Sequence, residues 1–185
     1  MNVAMLDLET SNLNADYGVI LCGVFKPYKG KPEVFRIDKT SSYKARPWDD
    51  AELVKDILKH IAGDGKKREA IDILVTYNGA MFDAPFLTSR AMLTDINIRE
   101  NFSFKHIDLY WVARKKLKLH DAKLDTVARF LKCHVSKTHI DPETWNKAVT
   151  GYQPALDYVV DHCVKDVQVL EEVYEKMKPF IKQIW

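Results

Sequence analysis

Apolar runs divide the chain into a first part with strand patterns and a later part with helical patterns. Residues 3–8 are mostly apolar without alternation, which is typical of a strand covered on both faces of a sheet. Residues 18–25 and 33–37 flank the turn-forming segment 27–32, which is a hairpin pattern. Together these runs predict an opening antiparallel meander.

Strands and helices then alternate along the chain. Residues 50–62 carry apolar residues at helical spacing, and the segment 63–67 ends that helix. Residues 71–77 predict another strand, followed by a turn and a helix from about Asp83 to Leu93. Residues 103–107 are a short strand candidate.

Helical patterns fill most of residues 108–178, with breaks near 118–123, 133–141 and 151–154. A meander, then strands separated by helices, then helices alone predict an α/β fold. This order fits the ribonuclease H-like architecture, a central mixed β-sheet flanked by α-helices. In that architecture the final helix would bring its carboxylate back beside the first strand.

The composition is that of an ordinary globular protein. Hydrophobic residues make up 46% and charged residues 29% of the 185 residues, so we expect one domain spanning residues 1–185. The net charge is only +2, so any contact with nucleic acid must come from local patches. Cys22, Cys133 and Cys163 lack a CxxC spacing and indicate neither a disulfide framework nor a zinc site. Without a targeting signal or a membrane span, we expect a cytoplasmic protein that makes no membrane contact.

Four carboxylates stand at widely spaced positions where a two-metal nuclease would need them. Asp7 and Glu9 are i and i+2 on the first strand, so they point to the same face, roughly 6–7 Å apart. At the end of a buried strand, two carboxylates this close repel each other unless a cation lies between them. Asp83 and Asp166 complete the set. Oxygen ligands suit Mg²⁺ and Mn²⁺, and two such ions clamp the attacking and leaving oxygens of a phosphodiester.

Each motif also has a structural interpretation. The Asp-x-Glu pattern recurs at Asp50 and Asp141, where charge in a first helical turn and an N-cap before proline explain it. Asp83 would cap the helix that follows the Asn-Gly turn, although loops after parallel strands are also where ligand sites lie. His162 and Asp166 are i and i+4 on one helix, which a surface pair would also explain.

The most basic part of the chain runs from Arg114 to Lys137 and is offset only by Asp121 and Asp125. It is either a set of solvated helix faces or a track for nucleic-acid phosphates. Tyr110 and Trp111 would stack a base in the second case, and would be core residues in the first. Its cationic residues are Arg114, Lys115, Lys116, Lys118, Lys123, Arg129, Lys132 and Lys137.

Taken together, these motifs resemble those of the DEDD superfamily of 3′–5′ exonucleases. The segment Leu6–Thr10 is similar to its first motif and His162–Val167 to its third. The segment Asn78–Asp83 is similar to the second motif as found in the proofreading exonuclease domain of family B DNA polymerases. The resemblance extends over most of the chain and is closest to a group of small predicted exonucleases with a ribonuclease H-like domain.

The resemblance implies a metal-dependent 3′–5′ exonuclease that hydrolyses phosphodiesters from the 3′ end of single-stranded nucleic acid, DNA in preference to RNA, and releases nucleoside 5′-monophosphates. An exoribonuclease, a structure-selective endonuclease and a non-catalytic nucleic-acid-binding scaffold are the alternatives. A polymerase or repair complex is a possible partner. The sequence leaves the oligomeric state open.

The resemblance also implies roles for single residues. Asp7 would bridge two Mg²⁺ or Mn²⁺ ions, Glu9 and Asp166 would complete the site of the attacking water, and Asp83 would hold the second ion. His162 would orient or deprotonate that water. The substrate-binding residues would be Thr10, Asn78 and Phe82.

One departure from the superfamily concerns the third motif. Its members carry either a tyrosine four positions before the last aspartate or a histidine five positions before it. This chain has His162 at the tyrosine position and Asp161 at the histidine position, while Tyr158 lies two helical turns before Asp166. The chain is therefore a hybrid of the two subclasses, and the role of His162 stays open.

Overall fold

A computed structural model describes residues 1–63, 65, 69–94, 96, 104–135 and 138–181. Five strands form one sheet in the order β3-β2-β1-β4-β5. The β1–β2 and β2–β3 pairs are antiparallel, whereas β4 is parallel to both β1 and β5. The strands are β1 (Val3–Thr10), β2 (Ile20–Pro27), β3 (Glu33–Arg36), β4 (Ile73–Thr76) and β5 (Lys105–Asp108). The predicted mixed sheet with its opening meander is confirmed.

Within these described ranges six α-helices accompany the sheet, and the breaks between the later ones fall where the sequence predicts them. The helices are α1 (Ala51–Ala62), α2 (Asp83–Leu93), α3 (Leu109–Lys116), α4 (Leu124–Phe130), α5 (Pro142–Val149) and α6 (Gln153–Ile181). The predicted fifth strand begins at Lys105, and Ser103 lies outside the described residues, as do positions 64, 66 and 67 of the segment after α1. Among the described residues, no helix has the length of apolar sequence that a membrane span requires.

Strand β1 lies in the middle of the sheet and is covered on both faces, as its apolar sequence predicts. Because successive side chains of a strand alternate between faces, Asp7 points to the side of α6 and Leu8 to the side of α1. The apolar residues of α6 that press on the sheet include Val159 and Val167, both fully buried. Each such burial stabilises the fold by roughly 1.5–3 kcal/mol. The packing of α6 therefore fixes which of its polar residues face Asp7.

The two recurrences of Asp-x-Glu have different structural roles. Asp141 caps α5 as expected, since its Oδ1 accepts hydrogen bonds from the backbone of Glu143 and Thr144 at 3.0 and 2.9 Å. Asp50 precedes α1 but makes no side-chain capping bond. It is fully buried and pairs with the guanidinium of Arg90, Oδ1 to Nη2 at 2.7 Å. The interpretation of Asp50 as an ordinary helix-start charge is therefore wrong.

Candidate metal and active site

The last helix brings three side chains against the end of β1. The Nε2 atom of His162 lies 3.8 Å from Glu9 Oε1 and 3.6 Å from Asp166 Oδ2. The Sγ atom of Cys163 lies 3.2 Å from Oδ2 of Asp7 and 3.4 Å from its carbonyl oxygen. Residues that are far apart in sequence thus form one cluster.

His162 and Asp166 are both buried, which excludes the surface-pair interpretation. The Nδ1 atom of His162 shares a hydrogen bond with the hydroxyl of Thr138 at 2.6 Å, and this bond fixes the plane of the ring. Tyr158 does not join the cluster, because its hydroxyl donates to the carbonyl of His139 at 3.1 Å. The histidine at the unusual position of the third motif is therefore part of the cluster.

Asp83 reaches β1 from the start of α2. It is the first residue of that helix, but its Oδ1 accepts a hydrogen bond from the backbone N–H of Leu8 at 2.9 Å instead of capping the helix. The predicted capping role is therefore wrong. Burial raises the pKa of the Asp83 carboxyl to about 7, and the negative charge of Asp108 adds to this, while the Leu8 N–H acts in the opposite direction.

The loop that leads to Asp83 is held by a buried carboxylate that none of the sequence motifs includes. Asp108, at the end of β5, accepts hydrogen bonds from the backbone of Asn78 at 2.7 Å, Ala80 at 2.9 Å and Tyr110 at 3.0 Å. Asn78 adopts a left-handed φ of 64°, as the predicted Asn-Gly turn allows. The available signal was an aspartate directly before a helical pattern, which predicts the bond to Tyr110 but not the two long-range bonds.

Two neighbouring cavities open at this cluster. A cavity of about 560 Å³ is lined by Asp7, Asp166 and Asn78, together with the aromatic rings of Tyr77 and Tyr110. A second cavity of about 420 Å³ has a lining made of Glu9, Thr10, Asn12, Leu13, Phe82 and Trp145. Both volumes fall in the range of small-molecule sites. The three expected substrate-binding residues therefore line cavities that also contain expected metal ligands.

The donor atoms of the cluster fit a divalent cation. Asp7, Glu9 and Cys163 each offer one ligand atom, and these atoms all lie within 4.8 Å of one another. Burial, the bond with Cys22 and the charge of Asp7 raise the pKa of the Cys163 thiol well above its ordinary value. Asp7 and Glu9 are half-buried, and carboxylates at such separations repel each other unless a cation relieves that repulsion. Cys163 carried no signal in the sequence, because its position mattered only once α6 was placed on β1.

Part of the basic stretch reaches the cavities. Lys123 lines the 560 Å³ cavity, and Arg114 and Lys118 line a smaller one of about 190 Å³ that shares Ala122 with it. Trp111 is 42% exposed and packs edge-on against Tyr110. All the predicted cations from Arg114 to Lys132 are exposed, while Lys137 lies outside the described residues.

Comparison with known proteins supports the fold described above. A family model described as the RNase_H superfamily matches residues 4–178. Among solved structures, the family B DNA polymerase from the hyperthermophilic archaeon Pyrobaculum calidifontis is similar with a TM-score of 0.67 and 20% identity, over 95% of this chain and 24% of the polymerase chain. The chain thus spans about a quarter of the polymerase's length, and the likeness confirms the predicted architecture. No curated protein matches the sequence.

Proposed function

This chain belongs to the RNase_H superfamily, and from that premise we propose that it is a metal-dependent 3′–5′ exonuclease formed by one domain over residues 1–185. Its substrate is the 3′ end of single-stranded nucleic acid, DNA in preference to RNA, and its products are nucleoside 5′-monophosphates. The observation that carries the proposal is the convergence of Asp7, Glu9, His162 and Asp166, of which Asp7 and Asp166 line the larger cavity and Glu9 lines the second one.

Four carboxylates of this chain would hold two Mg²⁺ or Mn²⁺ ions. Asp7 would be the ligand shared by both ions, Glu9 and Asp166 lie beside His162, and Asp83 is held by the backbone N–H of Leu8. Bound there, the ions would activate a water molecule and stabilise charge on the phosphodiester oxygens. The protein supplies the fixed directions of the ligands, since the backbone of Leu8 orients Asp83 and the buried face of α6 orients Asp166.

His162 would take up the proton of the attacking water. With Nδ1 bonded to Thr138, its Nε2 faces Glu9 and Asp166, the two carboxylates assigned to the site of that water. A free imidazole has a pKa near 6.5 and can accept a proton at neutral pH, whereas a tyrosine hydroxyl, common at this position, has a pKa near 10 and stays protonated. The hybrid third motif thus retains a group suited to general-base catalysis.

The terminal nucleotide would occupy the two cavities. Thr10 and Phe82 would contact one side of it, and Asn78 the other. Upstream phosphates would contact Lys123, which lines the larger cavity, and then Lys118 and Arg114, which line the smaller cavity that shares Ala122 with it. A polymerase or a repair complex would be a partner that presents such a 3′ end.

A time course on labelled strands tests the proposal. We expect 3′-labelled single-stranded DNA to release mononucleotides at once with Mg²⁺ or Mn²⁺, 5′-labelled DNA to shorten stepwise, and EDTA to stop both reactions. The same time course on RNA strands shows whether DNA or RNA is cleaved faster. Cleavage of a circular strand would identify an endonuclease instead, and binding without cleavage would identify a scaffold.

The matched variants are Asp7→Ala and Asp141→Ala. Loss of the bridging ligand should abolish cleavage while the fold persists, because both metal positions depend on Asp7. Asp141→Ala removes an exposed helix cap whose hydrogen bonds go to Glu143 and Thr144 of α5, so it should cost about 1 kcal/mol of stability and leave cleavage intact. Residual activity of Asp7→Ala within tenfold of wild type would contradict the two-metal assignment.

A further inference from the structure

Helix α3 presents an aromatic ring between positive charges on its solvent side. The helix packs against α6 and β4 through a buried apolar side. Residues three and four positions apart on a helix are neighbours, so Trp111 lies beside Arg114 and Lys115 on the exposed side. Single exposed apolar residues are common on protein surfaces, so the exposure of Trp111 alone indicates nothing. Its surroundings decide what the ring can bind.

The ring of Trp111 continues a row of aromatic side chains that begins in the larger cavity. Tyr77 and Tyr110 line that cavity together with Asp7 and Asp166. The ring centroids of Tyr77 and Tyr110 are 6.1 Å apart and those of Tyr110 and Trp111 are 5.1 Å apart, with nearly perpendicular planes in both pairs. Such a contact leaves at least one face of the indole uncovered by Tyr110, and Trp111 is 42% exposed. A flat apolar surface therefore lies open beside the candidate site.

The cations around Trp111 are not neutralised by neighbouring carboxylates. Within the ranges that the structure describes, Arg114, Lys115 and Lys118 make no ion pair, whereas Arg129 of the same basic stretch pairs with Asp125 at 3.0 Å. An open aromatic face beside such cations suits single-stranded nucleic acid, because bases stack on the ring while phosphates pair with the cations.

We infer that Trp111 is a stacking platform for a nucleobase upstream of the 3′-terminal nucleotide, and that Arg114 and Lys115 bind phosphates next to that base. The inference rests on the proposed function for the position of the 3′ end, which would lie at Asp7 and Asp166. A strand that leaves the larger cavity past Tyr110 meets Trp111 next, because the two rings are in contact. Every base has an aromatic face, so this stacking adds affinity for single strands without sequence preference.

Binding of oligothymidylates of increasing length tests the inference on the whole protein, in EDTA so that metal-dependent cleavage does not interfere. Trp111→Ala should bind the dinucleotide as the wild type does and longer strands at least about 5-fold more weakly, the low end of the effect of losing one base stacking. Trp111→Phe should recover most of this affinity, since it retains an aromatic face. Fluorescence anisotropy measures the affinities, and circular dichroism shows whether each variant is folded.

A second exposed tryptophan provides the matched control. Trp48 precedes α1 and is 49% exposed, and the guanidinium of the nearby Arg46 pairs with Asp49 at 2.8 Å. Trp48→Ala therefore removes a ring of similar exposure from surroundings with an internal ion pair. It should bind strands of every length as the wild type does.

An abasic nucleotide placed at successive positions of a long strand shows whether a base occupies the platform. The affinity of the wild type should fall at one position upstream of the 3′ end. Trp111→Ala should tolerate the abasic nucleotide at that position, because no stacking remains to be lost.

The salt dependence of binding separates the ring from the cations. The slope of log K against log salt should be unchanged in Trp111→Ala and smaller in magnitude by about 0.7 in Arg114→Ala, since only the arginine contacts a phosphate.

Four outcomes would overturn the inference: a wild-type affinity that does not rise with strand length, equal affinities of Trp111→Ala and the wild type for long strands, an equal loss in Trp48→Ala, or an abasic scan without a sensitive position. None of these affects metal-dependent cleavage or its loss in Asp7→Ala, so the proposed exonuclease would stand. Conversely, length-dependent binding through Trp111 in a protein that cleaves no strand would overturn the exonuclease and retain the stacking platform.

Discussion

The acidic residues of the site differ in how the surrounding chain holds them. Asp83 accepts a backbone N–H bond in a buried position, while Asp7 contacts the thiol of Cys163 and lines a cavity. A buried carboxylate with a raised pKa favours its protonated form in the folded state. Ionisation of Asp83 therefore lowers the stability of the metal-free protein, and under the proposed function this carboxylate would be a metal ligand whose position the fold fixes.

Substitution of Asp83 by asparagine tests whether the ionised carboxylate lowers the stability of the metal-free protein. The amide side chain of the variant is not ionised and retains an oxygen that accepts the Leu8 N–H. We therefore expect Asp83→Asn to be a few kcal/mol more stable than wild type at pH 8 in EDTA, since one pKa unit corresponds to about 1.4 kcal/mol.

The pH dependence of this difference has a defined sign. The folded-state pKa of about 7 lies above the ordinary value of 3.8, so the wild type loses stability as the pH rises from about 4 to 7. The advantage of Asp83→Asn should therefore vanish near pH 4. Urea unfolding at both pH values measures it, and an equal difference at both would contradict this role of the Asp83 charge. Cleavage by the variant should be lost.

Replacement of His162 and its hydrogen-bond partner tests the proton acceptor. His162→Ala should lower kcat by about 10²–10⁴ while metal binding is retained. Thr138→Val should lower kcat by a smaller factor without a matching change in KM, because only the ring orientation is lost, and Thr138→Ser should restore it. Single-turnover kinetics at saturating metal would measure these values. Full activity of His162→Ala would mean that His162 takes no part in the chemistry.

Sequence patterns pointed to Asp7, Glu9, His162 and Asp166, which the structure brings into one cluster, because each belongs to a motif with a fixed local spacing. They did not identify Thr138, Asp108 or Cys163, since the roles of these residues arise from contacts across 24, 30 and 156 positions of the chain. No local pattern carries such information.

At the scale of elements, one buried ion pair joins four segments around the site. Asp50, before α1, contacts Arg90 on α2 and accepts the backbone N–H of Ile20 at the start of β2, at 2.9 Å. Arg90 also donates to the carbonyl of Ala15 at 3.0 Å, in the loop that lines a cavity beside Phe82. The pair therefore holds the loop after β1 in place.

Removal of one partner should be costly. Asp50→Ala leaves the guanidinium of Arg90 without its carboxylate and the N–H of Ile20 without its acceptor, so we expect a loss of about 3–5 kcal/mol in the free energy of unfolding. Urea denaturation measures this, with Asp141→Ala as the control at about 1 kcal/mol. Equal losses in the two variants would show that the pair contributes no more than an exposed cap.

The elements themselves were predictable to a large extent. Every predicted strand and helix falls on an observed element, because apolar periodicity follows directly from which face of each element is buried. The role of Asp50 was not predictable, since an aspartate before a helical pattern indicates a cap until its partner 40 residues away is known.

At the scale of the whole molecule, a nearly neutral protein carries a local basic face. The net charge is +2, yet Arg114, Lys118 and Lys123 gather beside the cavities. Attraction of a polyanion would then act through a few contacts near the site.

Charge reversal on this face should weaken the salt dependence of binding. With Lys118→Glu/Lys123→Glu, the slope of log K against log salt for single-stranded DNA should fall in magnitude by about 1.4, because each contact contributes about 0.7. The control is Lys55→Glu/Lys59→Glu on exposed positions of α1, which changes the net charge equally. Fluorescence anisotropy at several salt concentrations measures both. Equal slopes in the two variants would show that the basic stretch is a solvated face that does not contact the phosphates.

The large sequence separation between β1 and α6 affects when the cluster forms during synthesis and folding. Asp7 and Cys163 are in contact across 156 positions, so the cluster is complete only after α6 has been synthesised and packed on the sheet. Contacts of such sequence separation form late, since the entropy of loop closure opposes them. During synthesis, β1 therefore stays without the side chains of α6 until that helix has left the ribosome, so under the proposed function the growing chain would not yet cleave nucleic acid. In refolding experiments, recovery of metal binding should lag behind recovery of helical circular dichroism.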